Sequence, residues 1–165
     1  MRFARDVAAV LCAVIIGGCG FQLRGDPSIG FRAMQVTAVG ASQVAPEIRR
    51  TLATGPARVV TNAKDAEAQL RILQEARDKI VATITGTGTV YEYELRLTVR
   101  YELLVPGREL PVIPPTETIA KRLITYSASA PTAKEAEEQL LFKDMQVELA
   151  GRILRQVAVA RRNEM

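Results

Sequence analysis

The sequence predicts a two-layer α+β domain, with two helices packed on one face of a four-stranded mixed sheet that contains long β-hairpins. Three observations lead there. Val90 to Val105 alternates apolar and polar residues without a break, the period of a strand with one packed face. The segment after Thr132 carries apolar residues three and four apart, the period of an amphipathic helix. Short glycine- and proline-bearing breaks separate the extended segments, as hairpin turns do. A sheet with one apolar face and helices with apolar stripes bury those surfaces against one another.

The N-terminal residues read as an export leader. Arg2 and Arg5 supply the positive end, diluted by Asp6, and Val7 to Ile16 is apolar. About ten apolar residues are too few to cross a bilayer core of ~30 Å as a helix. The run closes on Gly17-Gly18-Cys19, small residues followed by a thiol, which is what a lipoprotein signal peptidase requires. Residues 1–18 are therefore expected to be a signal peptide. Residues 19–165 are expected to be one lipid-anchored domain, with a diacylglycerol and an N-acyl chain on Cys19. More than one chain is needed, because a single acyl chain holds only marginally. The other reading is an uncleaved membrane-facing helix. Cys12 would leave with the leader, so the mature chain would hold no thiol or disulfide.

Ala33 to Val39 reads as the first strand, bounded by Gly30 and Gly40. Pro46 suits the first turn of a short helix ending near Gly55, following the preference for proline first and glycine last. Ile48 and Leu52 form its buried stripe, and Arg49 and Arg50 face outward. Arg58 to Thr61 is a short extended piece, and Lys64 to Ala68 a polar turn. From Ala68 to Ile84 the period is two, with Leu70, Ile72, Ile80, Ala82 and Ile84 on one face and a bulge expected between Gln74 and Lys79. Thr85-Gly86-Thr87-Gly88-Thr89 is a hairpin turn. No Lys-Ser/Thr pair follows it, which argues against a phosphate loop.

In the strand from Val90 to Val105, Tyr91, Tyr93, Leu95, Leu97, Val99, Tyr101, Leu103 and Val105 share the apolar face. Glu92, Glu94, Arg96, Thr98, Arg100 and Glu102 share the other. Val105-Pro106-Gly107-Arg108 reverses the chain. Pro111, Pro114 and Pro115 make the next segment irregular, as at a sheet edge, before a last strand from Thr116 to Tyr126. Thr132 and Glu135 have the spacing of a capping box. The helix that follows runs toward Ala160. Phe142, Met145, Leu149 and Ile153 lie down one edge of its apolar side, and Leu140, Val147, Leu154 and Val157 down the other.

The chain contains no histidine or tryptophan. With Cys19 acylated it would offer no thiolate nucleophile or soft metal site. The pairs Glu92 with Glu94 and Glu137 with Glu138 sit among Arg and Lys, as solvated charged faces do. No Gly-x-Ser-x-Gly elbow is present. The expectation is a non-catalytic binding or structural protein without a cofactor or metal. Formal charge is +4, and loss of Arg2, Arg5 and Asp6 with the leader leaves about +3. That mild excess steers anions and is not a nucleic-acid signature.

Cys19-Gly20-Phe21-Gln22-Leu23-Arg24-Gly25 resembles the mature start of the LptE family, the lipopolysaccharide-assembly lipoproteins of Gram-negative outer membranes. Glu92-Tyr93, Leu104-Val105-Pro106-Gly107-Arg108-Glu109 and Ala133-Lys134-Glu135 follow in the family's order. The resemblance implies a plug inside the lumen of an LptD-type outer-membrane β-barrel, assistance in that barrel's assembly, and binding of lipopolysaccharide during its transfer to the outer leaflet. It also implies two helices on a four-stranded sheet. In the family, basic residues near the first hairpin tip and at the start of the last helix are associated with lipopolysaccharide. Lys134 matches the second position. Thr85 to Gly88 carries no charge at the first, and Arg77 and Lys79 further down the strand are the candidate substitutes. Glu94 and Arg96 are candidates for facing the barrel, because a barrel lumen is polar. The alternative function is a lipid-anchored periplasmic scaffold of another envelope complex that binds no lipopolysaccharide. Gly20 after Cys19 is compatible with sorting to the outer membrane.

Overall fold

A computed structural model describes residues 29–126 and 131–163. The expected leader, Cys19, the Gly20 to Gly25 stretch and most of the loop before the last helix lie outside the described residues. Strand β1 (Ala33–Ala38) leads to helix α1 (Val44–Thr54), strand β2 (Arg58–Val60) and a 3-10 turn at Ala63–Asp65. The long strands β3 (Ala68–Ile84), β4 (Val90–Leu104) and β5 (Ile113–Thr125) follow, and helix α2 (Pro131–Arg162) ends the fold. Among the described residues no helix is long and apolar enough to cross a membrane.

The sheet has five strands in the order β2-β1-β3-β4-β5, not four. The extra one is the extended piece at Arg58, three residues long and parallel to β1. It becomes a strand because α1 returns the chain to the open edge of β1, where its backbone finds partners. β3 is also parallel to β1, and the β3–β4 and β4–β5 pairs are antiparallel, so the sheet is mixed.

Both hairpin turns form where their glycines are needed. Gly88 and Gly107 have φ of +82° and +85°, left-handed values that residues with a Cβ avoid. The Gly88 amide donates to the Thr85 carbonyl at 2.9 Å, and the Arg108 amide to that of Val105 at 3.2 Å. At the outer edge, β5 contains Pro114 and Pro115, opposite the register shift between Tyr101 and Leu103 of β4. An edge strand tolerates the lost amides.

The core lies between the sheet and the helices. Met34, Leu70, Ile72, Leu95, Leu97, Val99, Tyr101 and Leu103 from the sheet meet Ile48, Met145, Leu149 and Ile153 from the helices, all at most 1% exposed. The alternation of β4 thus holds from Leu95 to Leu103, whereas Tyr91 beyond it is exposed. Two expectations for α2 are corrected. Leu140 and Val147 are 64% and 52% exposed, whereas Leu154 on the same side is 3% exposed. Leu154 lies where the end of α1 meets α2, bordering one cavity with Thr51 and Leu52. The helix also begins at Pro131, so Thr132 lies within the first turn and is not its cap.

The face assignment of β3 is corrected as well. Leu70 and Ile72 pair with Leu103 and Tyr101 on the helix side. The register then shifts between Ile72 and Gln74, leaving Leu73 as the extra residue. A one-residue bulge exchanges the two faces of a strand. Beyond it Glu75, Arg77 and Lys79 pair with Val99, Leu97 and Leu95 on the helix side, and Ile80 pairs with Glu94 on the open face. The bulge lies one residue before the stretch where it was expected, and Ile80 and Ile84 are exposed instead of buried.

Candidate functional site

The bulge at Leu73 brings two basic residues toward the start of α2. Lys79 reaches Glu138, with its ammonium 2.6 Å from Oε2 and 4.8 Å from the centre of the Tyr93 ring. Lys134, in the first turn of α2, donates to Thr125 Oγ1 at 3.0 Å and to Glu137 Oε2 at 2.9 Å. Both lysines line one cavity of about 230 Å³. Tyr93 and Tyr126 line it too and meet edge to face at 6.0 Å. Residues 55 positions apart in sequence are thus joined by the end of β5, which carries Thr125 between them.

Each ammonium is already held by a carboxylate of α2. Such exposed pairs are worth only about 0–1 kcal/mol, so a ligand phosphate or carboxylate can exchange with them at little penalty. The lysines act as point charges rather than geometric forks. The uncharged hairpin tip at Thr85 to Thr89 adds no cation.

Arg77 does not join this pair. Its guanidinium lies 5.2 Å above the Phe142 ring and 3.9 Å from Glu75 Oε1. It faces a second cavity of about 650 Å³, between α1 and the first half of α2. Glu75 at the floor of this cavity is 4% exposed. Its Oε2 accepts from Ser42 Oγ at 2.7 Å and from the Gln43 and Val44 amides at 3.0 Å each. Ser42 Oγ in turn accepts from the Ala45 amide at 3.0 Å. A carboxylate from β3 therefore caps the N-terminus of α1, in line with the helix dipole.

Glu94 and Arg96 lie on the opposite, open face of the sheet. Arg96 donates to Glu94 Oε1 at 2.7 Å, and Lys121 of β5 stands 3.4 Å from the same oxygen. The hydrogen bond from Arg96, with help from Lys121, holds the Glu94 carboxyl below its ordinary value. Arg71 and Glu102 continue this charged surface with a 3.1 Å pair. Ile80, Ile119 and Leu123 interrupt it, 41%, 36% and 62% exposed. The role of Lys121 was not legible in sequence, because it depends on the β4–β5 register that sets Lys121 opposite Arg96.

Three kinds of comparison agree on the kinship of the chain. The family model described as lipopolysaccharide-assembly, LptE, matches residues 31–157. The LPS-assembly lipoprotein LptE of Pectobacterium atrosepticum is 24% identical over 151 residues, covering 89% of this chain and 80% of that one. Its counterpart in Yersinia enterocolitica is 27% identical over 160 residues, covering 94% and 75%. Among solved structures, lipoprotein B of Nitrosomonas europaea superposes with a TM-score of 0.71 at 31% identity, over 84% of this chain and 90% of that one. The rare lipoprotein B of Shewanella oneidensis gives 0.68 at 25% identity, over 79% and 97%.

Proposed function

The chain belongs to the LptE family of lipopolysaccharide-assembly proteins, and on that premise we propose that it is a non-catalytic lipoprotein of the outer membrane. It is held by acyl chains on Cys19. It plugs the lumen of an LptD-type β-barrel, helps that barrel to assemble, and binds lipopolysaccharide during transfer to the outer leaflet. The relatives named as LPS-assembly lipoproteins support this reading across most of their length.

The observation that carries the ligand half is the meeting of Lys79 and Lys134 in one cavity. Phosphates of lipid A and carboxylates of the inner sugars are the complementary groups, exchanging with Glu138 and Glu137 for the two ammonium ions. The tyrosine pair beside them offers an apolar wall to a sugar ring. The open face of the sheet serves the barrel half. Glu94 pairs there with Arg96 and Lys121, and Arg71 with Glu102, so the face is charged and suited to a polar lumen.

Charge reversal of both lysines, Lys79→Glu with Lys134→Glu, tests the ligand half. Lipopolysaccharide binding to the purified protein is expected to fall by about tenfold or more, which corresponds to about 1.4 kcal/mol. Binding at the unmodified affinity would remove this cavity from the ligand site and favour the scaffold reading.

A further inference from the structure

Helix α2 carries a stripe that is covered at one end and open at the other. Leu140, Val147, Leu154 and Arg161 recur at every seventh position, about two turns apart, and so lie along one side of the helix. Leu154 is 3% exposed, whereas Val147 and Leu140 are 52% and 64% exposed. The beginning of the described chain lies against the covered end. The Arg161 guanidinium stands 4.8 Å from the centre of the Phe31 ring, and a Cβ on Gly30 would fall 2.7 Å from Arg161 Cγ. Ile29, 4% exposed, lines a small cavity of about 120 Å³ with Leu154 and Gly151. From Phe31 back to Ile29 the chain therefore travels along the stripe, from Arg161 toward the open end.

The residues before Ile29 are suited to continue along it. Phe21, Leu23, Gly25, Pro27 and Ile29 occupy alternate positions, and Gln22, Arg24, Asp26 and Ser28 fill the positions between. In an extended chain that alternation gives one apolar and one polar side. Ile29, whose side chain is buried, belongs to the apolar one. The lengths agree as well. Val147 is four residues and Leu140 eleven residues before Gly151, about 6 and 16 Å along a helix. Pro27 is two residues and Leu23 six residues before Ile29, about 7 and 20 Å along an extended chain. A segment already joined to the stripe through Ile29 is present there at high effective concentration, which favours it over a second copy or a foreign chain.

We infer that the segment from Phe21 to Ser28 docks on the open end of the stripe and runs parallel to α2, with Pro27 over Val147 and Leu23 over Leu140. Cys19, four residues before Leu23, is then held beside the first turn of α2. Acyl chains on it would leave the domain at the end that carries the cavity of Lys79 and Lys134. That consequence alone rests on the lipoprotein reading, since the docking itself requires neither acyl chains nor lipopolysaccharide.

Full-length protein purified in detergent tests the docking in two ways. In the first, Leu23→Cys is combined with Leu140→Cys, the protein is oxidised, and linked peptides are identified by mass. A disulfide within one chain is expected, because such a bond requires Cα atoms within about 7 Å. Leu23→Cys combined with Val159→Cys, an exposed site beside Tyr101 and Ile113, is expected to give none. In the second, trypsin cleavage after Arg24 is timed, since cleavage of a docked segment tracks the fraction that is released. Leu140→Asp is expected to speed that cleavage about tenfold. Leu140→Met and Val159→Asp are expected to leave it near the native rate. Leu140 is exposed on the domain, so these substitutions do not remove a core contact. Absence of the Leu23–Leu140 link, an equal yield with Val159→Cys, a link between two copies, or a cleavage rate unmoved by Leu140→Asp overturns the proposal. Neither measurement involves lipopolysaccharide or a barrel, so failure here leaves the preceding reading to its own test.

Discussion

Glu75 shows how one side chain can set both local structure and the shape of a site. It is an acid in the middle of a strand, where composition alone predicts a solvated charge. The fold buries it and gives it three donors from the start of α1. Truncation in Glu75→Ala would leave those donors without their acceptor, at about 1–3 kcal/mol. In a domain of this size that lowers the melting temperature by roughly 3–10 °C. Glu75→Gln keeps an acceptor oxygen and should lose less. Calorimetry of the two variants checks the order, and an unchanged melting temperature in Glu75→Ala would contradict the capping role. The pairing was not visible in the sequence, because Ser42 and Glu75 are 33 residues apart and nothing local links them. Lys134, by contrast, was singled out through the family resemblance, as the basic residue at the start of the last helix, and it does line a cavity with Lys79.

Among the elements, β4 and β3 differ in how much their sequences disclose. The alternation of β4 identifies its buried face correctly from Leu95 to Leu103 because the strand is central and pairs on both sides. In β3 the same reasoning fails after Ile72, since a bulge is decided by register against β4 and not by the residues of β3 alone. That single shift carries Arg77 and Lys79 to the helix side and Ile80 to the open face. Helix α2 was legible along the core-facing edge from Phe142 to Ile153. It was misread at Leu140 and Val147, which are exposed, because an apolar helix edge is buried only where another element covers it. The contact between α2 and β5 also has a pH signature. Arg122 of β5 donates to Glu148 at 2.6 Å, and Arg152 of α2 also pairs with it. The Arg122 hydrogen bond, followed by the charges of both arginines, holds the Glu148 carboxyl below its ordinary value of 4.5, with desolvation opposing. A carboxyl lowered by folding adds stability above its unfolded value, and this is lost as pH falls through the folded value. Thermal unfolding followed from about pH 6 down to pH 3 should therefore show an acid-side loss that Glu148→Gln makes shallower. The same slope in both proteins would show that this ion cluster does not link α2 to β5.

The whole molecule presents two chemically different sides. One is the open face of the sheet, where Glu94 pairs with Arg96 along β4 and with Lys121 of β5, and Arg71 of β3 pairs with Glu102 of β4. The other is the helix side, where two cavities flank the first half of α2, one bounded by β5 and one by α1. The layer arrangement was readable from periodicity, and the short fifth strand was foreshadowed by the extended piece at Arg58. The cavities were not, because each is made where separate elements fail to cover one another. This division matches a plug that turns a charged surface toward a barrel wall and keeps its ligand site on the other side. A photo-crosslinking residue placed at Arg96, in cells that make the full-length protein, tests that arrangement most directly. The account predicts an adduct with an outer-membrane β-barrel protein of the LptD type. No adduct with a barrel from Arg96 or from its neighbour Glu94 would contradict it.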